Sequence, residues 1–119
     1  PWPRDRLATL VRRLREAGAA AIALDIVFSE ADRLSPPRIV GEVARRGGDP
    51  SLLEAMDRLP DNDALFAAAI REAPVVLGLL MTAGQGTPVQ PKASLAVIGP
   101  PLAGHVDRFG GALPPVPVL

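Results

Sequence analysis

The hydrophobic pattern begins with a clear helical period. In residues 3–18 the apolar residues recur at the spacing of one helix face and form a single stripe: Leu7, Leu10, Val11 and Leu14. Asp5 lies in the predicted first turn, and Gly18 follows the predicted last turn, as suits the two ends of a helix. The pattern therefore predicts an amphipathic helix over this segment.

Two mainly apolar runs predict buried strands. The first run covers about residues 20–28 and the second covers residues 75–81. A further run, residues 95–99, predicts a third strand. Strands joined through intervening helices are expected to lie parallel, with a right-handed crossover.

The segment between the first two strands predicts further helices. Ser35 followed by Pro36, and Asp49 followed by Pro50, each resemble an N-cap with proline at the first helical position. Residues 61–73 form the last clear helical pattern, with Asp61, Asn62 and Asp63 crowded at its start. Carboxylates there are favoured by the helix dipole, and capping is their most common role.

This order of elements predicts one α/β domain over residues 1–119. Its expected architecture is a parallel or mostly parallel sheet of three or more strands with helices on both faces. Residues 82–119 carry the weakest pattern, because their second half is irregular and rich in proline.

Composition narrows the function classes. The formal net charge is zero, with 13 basic and 13 acidic residues, which argues against nucleic acid as a main partner. The chain has no cysteine, so disulfides, thiolate metal sites and a cysteine nucleophile are excluded. No run approaches the roughly 18 apolar residues of a membrane helix. The first and last residues suggest a piece excised from a longer protein.

Asp25 interrupts the first apolar run near its end. An ionised carboxylate is costly to bury without a partner, so Asp25 is expected at the rim of the sheet or in a hydrogen-bonded turn. Ligands bind open parallel sheets beyond the carboxyl ends of the strands. The candidate ligand-binding residues are therefore the acidic side chains at this rim, which could hold a cation or a cationic ligand: Asp25, Glu30, Asp32 and Asp63.

No catalytic constellation is evident. His105 is the only histidine, and no G-x-S-x-G or H-E-x-x-H motif is present. An aspartyl phosphatase would need a second Asp two residues after Asp25, where Val27 stands. The interpretation is a domain without catalysis of its own and without a cofactor, and the sequence does not decide whether a metal binds.

Two motifs nevertheless resemble a known family. Residues 25–32 read D-I-x-F-x-E-x-D, and residues 60–69 read P-D-N-D-x-x-F-A-x-A. With the Gly18–Ala19 step before them and the P-V-V-L-G of residues 74–78 after them, they resemble the extracellular sensory domains called CHASE, of the second type. The resemblance covers about residues 5–81.

The resemblance implies an extracytoplasmic, periplasmic domain of an inner-membrane receptor in a bacterium. Flanking membrane helices and a cytoplasmic adenylate or guanylate cyclase, histidine kinase or diguanylate cyclase are then expected. An unknown small-molecule or ionic stimulus and a homodimer are the expected partners. Two alternatives stay open: a soluble α/β ligand-binding domain, and a small hydrolase that uses Asp25.

Overall fold

The computed structural model describes residues 2–84, 96, 98–99, 104 and 106–119. The described helices are α1 (Arg4–Glu16), α2 (Pro36–Arg45), α3 (Pro50–Asp57) and α4 (Asn62–Arg71). The described strands are β1 (Ile22–Leu24), β2 (Val75–Leu77), β3 (Leu80–Thr82) and β4 (Gly111–Leu113). The four predicted helical segments are therefore confirmed as helices.

Local signals set most helix ends. Pro36 and Pro50 occupy first helical positions, where the missing N–H costs nothing. The carboxylates of Asp49 and Asp61 accept hydrogen bonds from the N–H groups of Ser51 and Asp63, respectively, so the predicted caps of α3 and α4 are confirmed. Beyond α1, Gly18 adopts φ 85°, a left-handed conformation that glycine reaches without strain.

The strands form two small sheets. β1 pairs in parallel with β2, and Ile22 lies opposite Val75, as the crossover argument predicted. β3 pairs antiparallel with β4, and Leu80 lies opposite Leu113. The predicted α/β fold, with a parallel or mostly parallel sheet of three or more strands and helices on both faces, is wrong, since the described residues form only two-stranded sheets.

The physical reason lies in how the two apolar runs are used. Only three residues of each run join the parallel pair, and the second run continues as β3, which takes a different partner. Gly78 lies between β2 and β3, where the second run changes its partner. Its N–H donates to the Leu24 carbonyl at 2.9 Å, and a Cβ at this position would lie 2.9 Å from the Ile26 carbonyl oxygen. Apolar character predicts strands here but does not specify their partners or their length.

The core lies on one face of the parallel pair, between that face, α1 and α4. Its buried apolar residues come from both helices, β1 and the following loop: Leu7, Ala8, Val11, Ile22, Phe28, Phe66 and Ala69. The opposite face carries Ala23 and Val76, and Val76 is 64% exposed. Helices α2 and α3 pack against each other, and neither has a fully buried residue. The described helices therefore do not cover both faces of the sheet.

The end of the chain returns to the core. The N–H of Val116 donates to the Phe28 carbonyl at 2.8 Å, and Leu119 packs against the core residues. Of the predicted third strand, residues 95 and 97 lie outside the described residues, and Ala96, Ile98 and Gly99 belong to no strand. Among the helices that the structure describes, none has the length and apolar character needed to cross a bilayer.

Candidate functional site

The four predicted site residues divide into two pairs. Asp32 and Asp63 are buried and lie together, whereas Asp25 and Glu30 are exposed. The backbone N–H of Asp32 donates to the Asp63 carboxylate, with 3.0 Å between the nitrogen and Oδ2. The loop after β1 and the first turn of α4 therefore meet, as the sheet-rim argument predicted for these two residues.

The carboxylate of Asp32 caps the N-terminus of α1. Its Oδ2 accepts from the backbone N–H of Arg4 at 2.8 Å and from the Asn62 side-chain amide at 2.9 Å. Its Oδ1 accepts from the N–H of Leu34 at 2.9 Å, which fixes the turn of the loop. Pro3 stands at the N-cap of α1 and has no side-chain acceptor, so a residue distant in sequence supplies the missing cap.

Arg4 supplies the positive charge of the site. Its guanidinium forms a buried ion pair with Asp63 and also donates to the backbone carbonyl of Glu30. The guanidinium carbon lies 5.2 Å from the centre of the Phe28 ring, within range of a cation–π interaction. Phe28 in turn meets Phe66 edge to face, with ring centres 5.2 Å apart. The polar cluster is thus joined directly to the core.

Ser35 connects the loop to α4. Its hydroxyl donates to Asp61 at 3.0 Å and accepts from the backbone N–H of Asn62 at 2.9 Å. It makes no side-chain cap to α2, although it occupies the N-cap position that the sequence predicted. We call these six residues the Arg4 cluster: Arg4, Asp32, Ser35, Asp61, Asn62 and Asp63.

The Arg4 cluster keeps Asp32 ionised. Burial raises the pKa of Asp32, but hydrogen bonds from the N–H groups of Arg4 and Leu34 and from Asn62, together with the charge of Arg4, outweigh that effect. The pKa of Asp32 therefore lies below its ordinary value of 3.8. A carboxylate that accepts three hydrogen bonds in this way holds the fold together and leaves few free lone pairs for a ligand.

Asp25 and Glu30 have different surroundings. The strand ends at Leu24, so Asp25 projects from an irregular segment into solvent. Neither carboxylate makes a hydrogen bond to another described residue. The carboxylate in this loop that does fix a turn is that of Asp32, which accepts from the N–H of Leu34. In the described parts of the chain, no three His, Asp or Glu side chains are placed to hold a metal ion.

A cavity of about 670 Å³ lies beside the Arg4 cluster. It is open to solvent and is lined by the residues before and in the first turns of α1, by the loop after β1 and by Arg38 of α2. Glu30 and Asp32 line it, whereas Asp25 and Asp63 do not. Its volume is within the range of ordinary small-molecule sites. Two of the four predicted residues thus border a space that a ligand can enter.

The sequence prediction missed Arg4, the cation at the centre of the cluster. One signal was present: Arg4, Leu7, Ala8 and Val11 are at positions i, i+3, i+4 and i+7, and these are the buried residues of α1. The predicted stripe included Leu10 and Leu14 instead, which are both 37% exposed. A proline at the N-cap was a second signal, because it predicts that an acceptor comes from elsewhere.

Comparison with protein families gives a match over residues 1–112, to the family model described as CHASE2 domain. The matched residues include the whole Arg4 cluster and the residues that line the cavity. Comparison with curated proteins and with solved structures gave no match.

Proposed function

The chain belongs to the CHASE2 domain family, a family of extracellular sensory domains, and we propose that it is the signal-input domain of a bacterial transmembrane receptor. In this proposal the domain lies in the periplasm and controls an enzyme on the cytoplasmic side of the inner membrane. That enzyme is an adenylate or guanylate cyclase, a histidine kinase or a diguanylate cyclase. The domain itself carries out no catalysis.

One structural observation carries the mechanism. The loop that lines the cavity also contains Asp32, which caps the first residue of α1. A ligand that rearranges this loop therefore changes the hydrogen bonds of Asp32 and, through them, the start of α1. The same loop is tied to α4 through Asp63 and Ser35, so both core helices respond to it.

The energetics follow from differential binding. A ligand shifts an equilibrium between two arrangements only by the difference in its affinity for them. An affinity ratio of about 100 supplies nearly 3 kcal/mol of coupling, which is typical of allosteric proteins. This is comparable with the free energy of one or two hydrogen bonds to a charged group. A change in the bonds of Asp32 is thus of the right size to carry the signal.

We further propose that the domain works as a homodimer, because cyclase and kinase outputs generally act in pairs. The exposed face of the β1–β2 pair, which carries Val76, is available for such a contact. Residues 114–119 contact their own core through Val116 and Leu119.

The location can be tested with a single introduced cysteine. The chain has no native cysteine, and the side chain of Arg13 is 78% exposed on α1. Arg13→Cys in the full-length protein should react with a membrane-impermeant maleimide in spheroplasts that remain intact. The parent protein is the control for other cysteines. Labelling that requires lysis of the cells would place the domain in the cytoplasm and refute the proposal.

The signalling role can be tested through the output enzyme. Asp32→Asn in the full-length receptor should change the basal output at least about fivefold, the lower end of usual allosteric coupling. Arg15→Gln, which removes an exposed charge from the same core helix, should leave the output unchanged. Limited proteolysis would show whether each variant is folded. If the folded Asp32→Asn receptor has an unchanged output, the loop after β1 does not transmit the signal, and this mechanism is wrong.

A further inference from the structure

The cavity beside the Arg4 cluster has mostly apolar walls at its mouth. Large hydrophobic side chains line it and remain substantially exposed: Trp2, Ile26, Val27 and Leu34. Trp2 is 67% exposed. Below them the buried side chains of Leu7 and Phe28 contribute to the lining. Single exposed apolar residues are normal on a protein surface, but four around one concave space indicate a site for an apolar group.

Among the exposed charged side chains that line the cavity, basic residues outnumber acidic ones. Arg33 and Arg38 line it and are exposed, and neither forms an ion pair with another described residue. Arg38 makes one long hydrogen bond, 3.4 Å, to the Ala31 carbonyl, which leaves most of its N–H groups free. Glu30 is the one exposed carboxylate among the described lining residues.

The other two charged lining residues already have partners in the protein. Asp32 accepts three hydrogen bonds from N–H donors, and Arg4 is paired with Asp63. The charged groups that remain free to contact an occupant are therefore two guanidinium groups, of Arg33 and Arg38, and one carboxylate, of Glu30. Guanidinium groups bind carboxylate, phosphate and sulfonate oxygens through paired N–H donors.

We propose that this cavity binds a small amphiphile with an apolar body and an anionic head. The apolar body contacts Trp2, Ile26 and Leu34, and the head group is bound by Arg33 and Arg38. The inference deepens the proposed function, because it names the chemical class of the stimulus. It also replaces the cationic ligand that the acidic residues alone suggested, since the acidic residues here are either saturated or outnumbered.

Trp2 provides the readout. It is the only tryptophan of the chain and lines the cavity, so its fluorescence should respond to an occupant. Three probes with alkyl chains of about the same length carry different head groups: decanoate, decanol and decyltrimethylammonium, each used below its micelle concentration. Decanoate should change the fluorescence of Trp2 and bind about tenfold more tightly than decanol, the amount expected from one charge-assisted contact. The cationic probe should bind most weakly.

Variants separate the two parts of the site. Arg33→Gln with Arg38→Gln should abolish the preference for decanoate over decanol. Arg71→Gln with Arg108→Gln removes the same charge outside the cavity and should preserve that preference. Leu34→Ser should weaken decanoate and decanol alike, by at least about threefold, because it removes apolar contact. Leu59→Ser, at a similarly exposed leucine outside the cavity, should change neither affinity.

The proposal is refuted if the folded protein, monitored by circular dichroism, binds none of the probes. It is equally refuted if the cationic probe binds best, or if the double arginine variant keeps the preference for decanoate. Binding to phosphatidylglycerol vesicles without binding to free decanoate would identify a membrane-contacting surface instead, and would also contradict it. These results are independent of the maleimide labelling of Arg13→Cys, so a failed ligand assignment leaves the receptor proposal standing, and the reverse also holds.

Discussion

The backbone N–H of Arg4 donates a 2.8 Å hydrogen bond to the carboxylate of Asp32, 28 residues later in the chain. Arg4 is the first residue of α1, and the preceding Pro3 offers no acceptor of its own. The start of the helix is thus completed by the loop that lines the cavity. This one contact connects the fold of the domain to the site at which we expect a stimulus to act.

Asp32→Asn should destabilise the domain although it changes one atom. The three donors around the carboxylate would face an amide that carries an N–H group of its own, and at least one donor would lose its acceptor. The expected loss is about 2–3 kcal/mol, measured by urea unfolding. Asp49→Asn is the matched control, because Asp49 caps α3 in solvent and Asn is an equally good cap. Equal stability of the two variants would contradict a structural role for the buried carboxylate.

Stability should fall in acid through Asp32. Its pKa in the folded protein is below the ordinary value of 3.8, so the ionised carboxylate contributes to the free energy of unfolding above that pH. The contribution is lost as the pH falls through the lower pKa of the folded state. Unfolding curves collected from pH 7 to pH 2 should show this decline below about pH 4. In Asp32→Asn this decline in the free energy of unfolding should be shallower, whereas Asp49→Asn should keep the part of the decline that Asp32 causes. An unchanged slope in Asp32→Asn would assign the acid sensitivity to other groups.

The ion pair between Arg4 and Asp63 should be strongly coupled. Arg4→Met leaves a buried carboxylate without its cation and should cost about 3–5 kcal/mol of unfolding free energy. In a double-mutant cycle with Asp63→Asn, the second substitution should cost much less in the Arg4→Met background than alone. The exposed pair Arg15–Glu72 is the control. It also joins distant parts of the chain, and its coupling should be below about 1 kcal/mol. Similar coupling in both cycles would be inconsistent with the burial of Arg4.

Gly78→Ala should destabilise the junction between the two sheets. The added Cβ would lie 2.9 Å from the Ile26 carbonyl oxygen and 3.1 Å from the Ile26 nitrogen. Because both are backbone atoms, the strands themselves must shift, at a cost of about 1–3 kcal/mol. Gly41→Ala is a control with the opposite sign. Gly41 is in α2, and no heavy atom lies near its Cβ position, so alanine should stabilise by up to about 1 kcal/mol. Thermal unfolding distinguishes the two.

The predictions from sequence were reliable where the signals are local. Pro36 and Pro50 predicted two helix starts, and Asp61 predicted a third with its cap. Each of these signals acts on residues within one turn, so neighbours in the sequence are sufficient to interpret it. The family motifs are equally local, and the family to which they pointed is the one whose model matches.

The candidate site was only partly predictable. Asp32 and Asp63 were placed correctly at one rim because β1 and α4 bring their ends together. That argument could not say which acidic residues are neutralised, since the cation comes from Arg4, 59 residues before Asp63. Ser35 shows the same limit, because its hydroxyl serves the start of α4 and not the helix that it precedes.

The sequence by itself therefore determined the helices, most of their ends and the family, because those depend on residues close together in the chain. The tertiary structure alone decided the pairing of β3 with β4, the buried face of α1 and the pairing of charges. In these cases several arrangements satisfy the same hydrophobic pattern, and contacts between distant segments select one. Ala8, Phe66 and Ala69 pack α1 and α4 over one face of a two-stranded sheet, which leaves Val76 exposed on the other face.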